Sequence, residues 1–154
     1  LFYSQQRVGK DGVVFEILKY RTMVKNAESD GAVFTAANDS RVTAFGKFMR
    51  KTRMDEFPQF INILKGDMAV IGPRPERPIF VKEIAEIMPF YETRHIIKPG
   101  LTGWAQVNYS YGETIDDSLI KLQYDLYYIK HRSIYLDMNI AFKTITTILF
   151  YRGQ

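Results

Sequence analysis

The sequence contains no cysteine, only two histidines, one tryptophan, and no uninterrupted apolar run long enough to cross a bilayer. Without cysteine there can be no disulfide, no thiolate metal site and no cysteine nucleophile. His95 and His131 are too few to build a histidine zinc centre. The longest apolar stretch, Ile134 to Phe150, is interrupted by Asp137, Asn139 and Lys143, so it falls short of the roughly 20 apolar residues that a span requires. Residues 1–12 lack the basic and then apolar regions of a secretory signal. There is no repeat and no low-complexity tract.

What remains is a chain of 154 residues, 46% hydrophobic and 25% charged, which fits one globular domain with a real core. The formal charge of +4 and pI near 9.2 favour anionic partners such as lipid surfaces, nucleotides or nucleic acid. No nucleic-acid-binding motif is present, so nucleic acid is not an expected partner. The opening Leu1-Phe2-Tyr3 reads as the inside of a strand, and the expectation is that a further segment precedes it.

The expected fold class is α+β, a single compact domain spanning 1–154 with an N-terminal β-hairpin, short strands and several amphipathic helices. Residues 1–8 and 13–20 flank Gly9-Lys10-Asp11-Gly12, the signature of a hairpin. Residues 24–40, rich in Asn, Asp, Ser, Gly and Ala, read as a loop long enough to be functional. From Val42 to Thr52, the apolar residues Val42, Phe45, Phe48 and Met49 recur at helical spacing opposite Lys47, Arg50 and Lys51. This basic amphipathic helix suits either a solvated face or a membrane surface. A strand is expected at Met68 to Ile71 and a helix from Ile79 to Tyr91. Two C-terminal helices should carry the stripes Leu119, Leu122, Leu126, Ile129 and Ile134, Met138, Ala141, Ile145, Ile148. These stripes predict a packed helical pair or a membrane-interface position, with Tyr124, Tyr127 and Tyr128 as core and rim.

The chemistry-bearing feature is Asp55-Glu56, preceded by a run from Arg41 to Met54 that holds five bases and no acid. Neighbouring cations favour the charged carboxylate, so both acids are expected to be ionised at neutral pH. An ionised pair can hold Mg2+ together with substrate phosphate, or one acid can serve as a covalent nucleophile. Equally, Asp55 can cap a helix from about Glu56 to Leu64, with Glu56 and Pro58 in its first turn. The two readings are compatible, because a helix N-terminus also attracts phosphate. Arg74, between Pro73 and Pro75, is presented from a stiff backbone suited to bidentate anion binding. The small residues around Trp104, in Leu101-Thr102-Gly103-Trp104-Ala105, either admit a ligand to the backbone or pack a strand.

Six ordered blocks then point to one family: Lys19-Tyr20-Arg21-Thr22-Met23, Asp55-Glu56-Phe57-Pro58-Gln59, Leu64-Lys65-Gly66-Asp67-Met68, Gly72-Pro73-Arg74-Pro75, Pro99-Gly100-Leu101-Thr102-Gly103 and Tyr124-Asp125-Leu126-Tyr127-Tyr128. Together, over nearly the whole chain, they closely resemble the bacterial sugar transferase family of monotopic polyprenyl-phosphate phosphoglycosyl transferases. The resemblance implies transfer of a sugar 1-phosphate from a UDP-sugar, a hexose such as glucose or galactose, to undecaprenyl phosphate with release of UMP. That reaction initiates exopolysaccharide, capsule or O-antigen synthesis at the cytoplasmic face of the bacterial inner membrane. By motif position Asp55 is the implied nucleophile, forming a covalent phosphosugar intermediate, and Glu56 its catalytic partner and Mg2+ ligand. Lys19, Arg21, Arg50, Arg74, Arg94 and Gln106 are the implied substrate-binding set. The family also carries an N-terminal membrane-inserting segment, which this sequence begins after, so the chain alone is expected to be a soluble catalytic domain. Pro75-Glu76-Arg77-Pro78 and the loop Asn108 to Gly112 look like members with several upstream transmembrane helices. A non-catalytic, basic peripheral membrane-binding module remains the alternative, although it gives no reason for Asp55 beside Glu56.

Overall fold

The computed structural model describes residues 1–27, 39–109 and 115–149. Strands β1 (Phe2–Val8) and β2 (Val14–Tyr20) pair antiparallel, from Phe2 opposite Tyr20 to Val8 opposite Val14. Their connection turns through Asp11 and Gly12, both at positive φ, a conformation that glycine and aspartate tolerate better than most residues. Side chains alternate across a strand, so Tyr3, Gln5 and Arg7 share one face with Ile17 and Lys19, their partners or neighbours across the ladder. Ile17 anchors that face in the interior. Residues 28–38 of the expected loop, and residues 110–112 of the one after Asn108, lie outside the described residues.

Helix α1 (Ala44–Lys51) is capped by Thr43, whose hydroxyl accepts from the Gly46 N–H. Its orientation differs from the one its apolar spacing predicts. Phe45 and Phe48 are exposed, while Gly46 and Met49 are buried. The cause is backbone packing: a Cβ on Gly46 would lie 2.1 Å from the Thr22 carbonyl oxygen. The glycine side of the helix is therefore pressed onto the chain leaving β2, the two phenylalanines turn outward, and Arg50 turns inward to Thr22.

Helix α2 (Gln59–Lys65), with Phe57 just before it, likewise turns its apolar residues outward. Phe57, Ile61 and Leu64 are exposed, and the buried residues are Gln59 and Asn62. Asn62 docks the helix on β2, accepting from the Leu18 N–H at 3.0 Å and donating to the Glu16 carbonyl at 2.8 Å. Its amide thereby satisfies strand-edge groups that an apolar side chain could not.

Strand β3 (Ala69–Ile71) leads through Gly72-Pro73-Arg74-Pro75 to α3 (Pro78–Ile87), which begins on proline. A 3-10 segment, Tyr91–Ile96, precedes β4 (Gly100–Thr102), which pairs parallel with β3. Helices α4 (Trp104–Asn108), α5 (Ile115–His131) and α6 (Ile134–Leu149) complete the order. One core cluster joins Val8 of β1 to Phe80, Val81 and Ile84 of α3, with Met88, Tyr91 and Leu122. A second joins Tyr128 of α5 to Leu136 and Ile140 of α6.

The α+β expectation holds. The C-terminal helices do pack on each other where Tyr128 meets Leu136 and Ile140, but α5 and α6 also both pack on α4, and α6 on β3 and β4. Leu136 and Ile140 face inward, so Ile134, Met138 and Ile145 of the expected packing stripe are exposed. Among the described residues no helix is long and apolar enough to cross a membrane.

Candidate active site

Arg53 adopts a left-handed backbone, φ 58°, immediately before a 3-10 turn over Met54–Glu56. That reversal ends the α1 region and swings Asp55 and Glu56 inward, leaving them only 8% and 7% exposed. Asp55 therefore does not cap α2. The helix starts later, after Pro58, and has no side-chain cap.

The two carboxylates lie at a cavity of about 540 Å³ between the hairpin, α1 and the Arg74 segment. Glu56 Oε1 accepts from Arg74 Nη2 at 2.8 Å and from Lys19 Nζ at 3.2 Å. Asp55 Oδ1 is buried and has no hydrogen-bond partner. The carboxylates consequently part company electrostatically. Burial alone would raise the pKa of Glu56, but Arg74, Lys19 and Arg53 outweigh it and hold the group well below the usual carboxylate range. For Asp55, burial and then the adjacent Glu56 charge push the pKa up, against the pull of Lys19, Arg50 and Arg74. Nearby bases therefore favour ionisation of both acids, as expected, but only at Glu56 do they outweigh burial. Glu56 takes the direct ion pairs, and its own charge works against Asp55. Lys19 is pushed down to about 8 by burial, which the Glu56 charge only partly offsets.

Of the residues implied by family resemblance, Lys19, Arg21, Arg50 and Arg74 line this cavity with Asp55 and Glu56. Arg50 donates through Nε to Thr22 Oγ1 at 2.9 Å, and the Arg21 guanidinium lies 5.6 Å from the Tyr3 ring centre. Arg94 and Gln106 are not brought into it. Arg94 is buried in an ion pair with Asp125 at 2.7 Å, and Gln106 Nε2 donates to the Leu101 carbonyl. Sequence reasoning missed Arg7 and Gln5 on the cavity wall. Strand alternation carried the signal, because both share a hairpin face with Lys19.

No group of three or more Asp, Glu, His or Cys side chains gathers as a metal cage among the described residues. Mg2+ needs no such cage, since it is commonly held by one or two carboxylates with substrate phosphates and water. Two adjacent carboxylates on the wall of one cavity fit that mode.

The chain matches the family model described as bacterial sugar transferase over residues 1–151. It is 52% identical over 149 residues to the UDP-N-acetylgalactosamine-undecaprenyl-phosphate N-acetylgalactosaminephosphotransferase of Aeromonas hydrophila, covering 97% of this chain and 35% of that protein. It is 42% identical to the UDP-glucose:undecaprenyl-phosphate glucose-1-phosphate transferase of Escherichia coli K12 over 94% of this chain and 32% of that one. The galactosyl transferase CpsE of Streptococcus agalactiae is 37% identical over 98% of this chain and 35% of its own length. The chain therefore spans about a third of the length of these relatives.

Proposed function

Because the chain belongs to the bacterial sugar transferase family, we propose that it transfers a sugar 1-phosphate from a UDP-sugar to undecaprenyl phosphate through a covalent intermediate on Asp55. The observation that carries this reading is the contrast between the two acids: a clamped Glu56 and an unpartnered, raised-pKa Asp55 at one cationic cavity. A more basic carboxylate with no donor on its oxygen is the better nucleophile.

In the first step a carboxylate oxygen of Asp55 attacks the phosphorus that bears the sugar. The bond from that phosphorus to the oxygen bridging it to the uridylyl phosphate breaks, and UMP departs with the electron pair. In the second step a phosphate oxygen of the lipid attacks the same phosphorus and breaks its bond to Asp55, which regenerates the carboxylate and leaves a lipid diphosphate sugar. Lys19, Arg50 and Arg74 hold the phosphates and offset the charge that grows on the leaving oxygen. Mg2+, held by Glu56 with the substrate, would neutralise diphosphate charge.

The sugar is proposed as a hexose or an N-acetylhexosamine, from the substrates printed in the relatives' names. The lipid acceptor places the reaction at a membrane surface, and the outward phenylalanines of α1 together with Phe57, Ile61 and Leu64 supply apolar area for that contact.

The first step needs no lipid and tests the reading directly. The protein is exposed briefly to each of a panel of UDP-sugars, and intact mass spectrometry is read alongside UMP release. A sugar-phosphate adduct equal in amount to the UMP, absent in Asp55→Asn, is expected. Adduct formation by Asp55→Asn, or UMP release only when lipid phosphate is also bound, sinks the covalent mechanism. No UMP from any sugar favours the non-catalytic membrane-binding module.

A further inference from the structure

Arg74 reaches Glu56 from a segment that cannot be secured in the ordinary way, because Pro73 and Pro75 have no N–H to donate. Its carbonyls are secured instead. The Pro73 carbonyl accepts from the Gly100 N–H at 2.9 Å, that of Arg74 from Arg94 Nη2 at 2.9 Å, that of Pro75 from Arg7 Nη1 at 3.1 Å, and that of Glu76 from the Val8 N–H at 2.9 Å. Four successive carbonyls are therefore held by donors from β1, β4 and the 3-10 segment.

Two of those donors are arginines whose other contacts fix them in turn. Arg94 Nη1 donates to the Tyr91 hydroxyl at 2.6 Å, and Nη2 lies 2.7 Å from Asp125 Oδ2. Arg7 Nη2 donates to Gln5 Oε1 at 2.7 Å, and Nη1 lies 3.4 Å from Glu76 Oε2. Both side chains are largely buried, Arg94 at 5% and Arg7 at 16% exposure. A planar fork with several donors can bridge a carbonyl and a second acceptor at once, which a lysine cannot do with the same rigidity.

Building on the reading of Asp55 and Glu56 above, we propose that Arg7 and Arg94 are positioning residues that hold the Pro73–Glu76 backbone so that the Arg74 guanidinium stays on Glu56 Oε1. On this account neither acts on substrate. Arg94 is not among the residues lining the cavity, and both terminal nitrogens of Arg7 are occupied, by Gln5, Pro75 and Glu76. Arg74, held on Glu56, keeps that carboxylate from competing for the position of Asp55 and presents one face of its guanidinium to the phosphates.

A double-mutant cycle tests the proposal. Arg7→Gln and Arg94→Gln are made singly and again in an Arg74→Gln background, and the UMP burst of the first step is measured at saturating UDP-sugar. Each single substitution is expected to slow the burst roughly 10- to 100-fold, as misplacement by about 1 Å does elsewhere, with KM changed less than kcat. In the Arg74→Gln background each should cost less than about twofold, because the group being positioned is gone. Losses that multiply with Arg74→Gln, or folded single variants with a wild-type burst, overturn the proposal. Arg7→Lys keeps the charge and loses the fork, and it should remain slow; a wild-type burst here also overturns it. Should Arg94→Gln fail to fold, the Arg7 variants decide the outcome. Urea midpoints over the same cycle read the coupling without turnover. A wild-type protein that releases no UMP while the midpoints remain coupled would defeat the proposed function and leave the positioning intact.

Discussion

Asp55 and Glu56 are neighbours in the chain, yet Glu56 Oε1 carries two cationic donors and Asp55 Oδ1 carries none. The roles proposed for them rest on that asymmetry, and the consequences can be measured.

Glu56→Gln leaves Asp55, the proposed nucleophile, in place while removing the charge that Arg74 and Lys19 share. The adduct should still form, at a first-step rate lower by roughly 10²-fold, as when another electrostatic stabiliser is removed. Folding stability should fall by about 2 kcal/mol, since Lys19 and Arg74 lose a charged acceptor. Rapid-quench UMP measurements and urea unfolding check the two effects.

Lys19 sets a basic limit. Its pKa is about 8 in the folded chain against 10.5 for the free side chain, so UMP release should decline as pH rises through 8. Lys19→Arg should remove that inflection. The stability effect has the opposite sign. Between pH 8 and 10.5 the unfolded chain binds more protons at this site than the folded one, so its contribution to stability rises with pH. Urea midpoints at pH 7.5 and pH 10, compared with those of Lys19→Met, isolate the difference; a flat difference counts against the buried, charged lysine.

Metal removal offers a third check. With only oxygen donors at the dyad, EDTA should arrest UMP release, and Mg2+ should restore it where Zn2+ does not. Release that continues unchanged in EDTA means that Asp55 and Glu56 act without a metal.

The orientation of α1 can be tested by a contrast of two adjacent residues. Gly46→Ala forces a Cβ against the Thr22 carbonyl and should cost about 1–3 kcal/mol. Phe45→Ser, on the exposed side, should stay within about 0.5 kcal/mol of wild type. Thermal melts that reverse this order would place the phenylalanine in the core.

Vesicle flotation separates apolar from electrostatic attachment. Phe45→Ser with Phe48→Ser should weaken binding to neutral and anionic vesicles alike, whereas added salt should weaken only the anionic case. Equal binding by the double variant and wild type would remove α1 from the membrane contact.

Much of this protein is legible in its sequence because the responsible forces are local. The Gly9 to Gly12 turn and the flanking alternation specify the hairpin. Helical spacing locates α1, α3, α5 and α6, and proline on both sides of Arg74 announces a stiff segment. Asp55-Glu56 after a basic run marks the candidate site, and six ordered motifs mark the family. Tertiary structure decided which way the helices face, since that depends on what lies opposite. Backbone contact at Gly46 turned Phe45 and Phe48 outward, and the β2 edge drew the Asn62 amide inward at the expense of Ile61 and Leu64. It also divided the dyad, because the cations that clamp Glu56 come from 18 residues downstream and 37 upstream. It also set Arg94, 20 residues further along the chain, against the backbone of Arg74. Sequence proximity specifies which charges are present, but pKa depends on their distance through space and on burial, and only the folded chain fixes those.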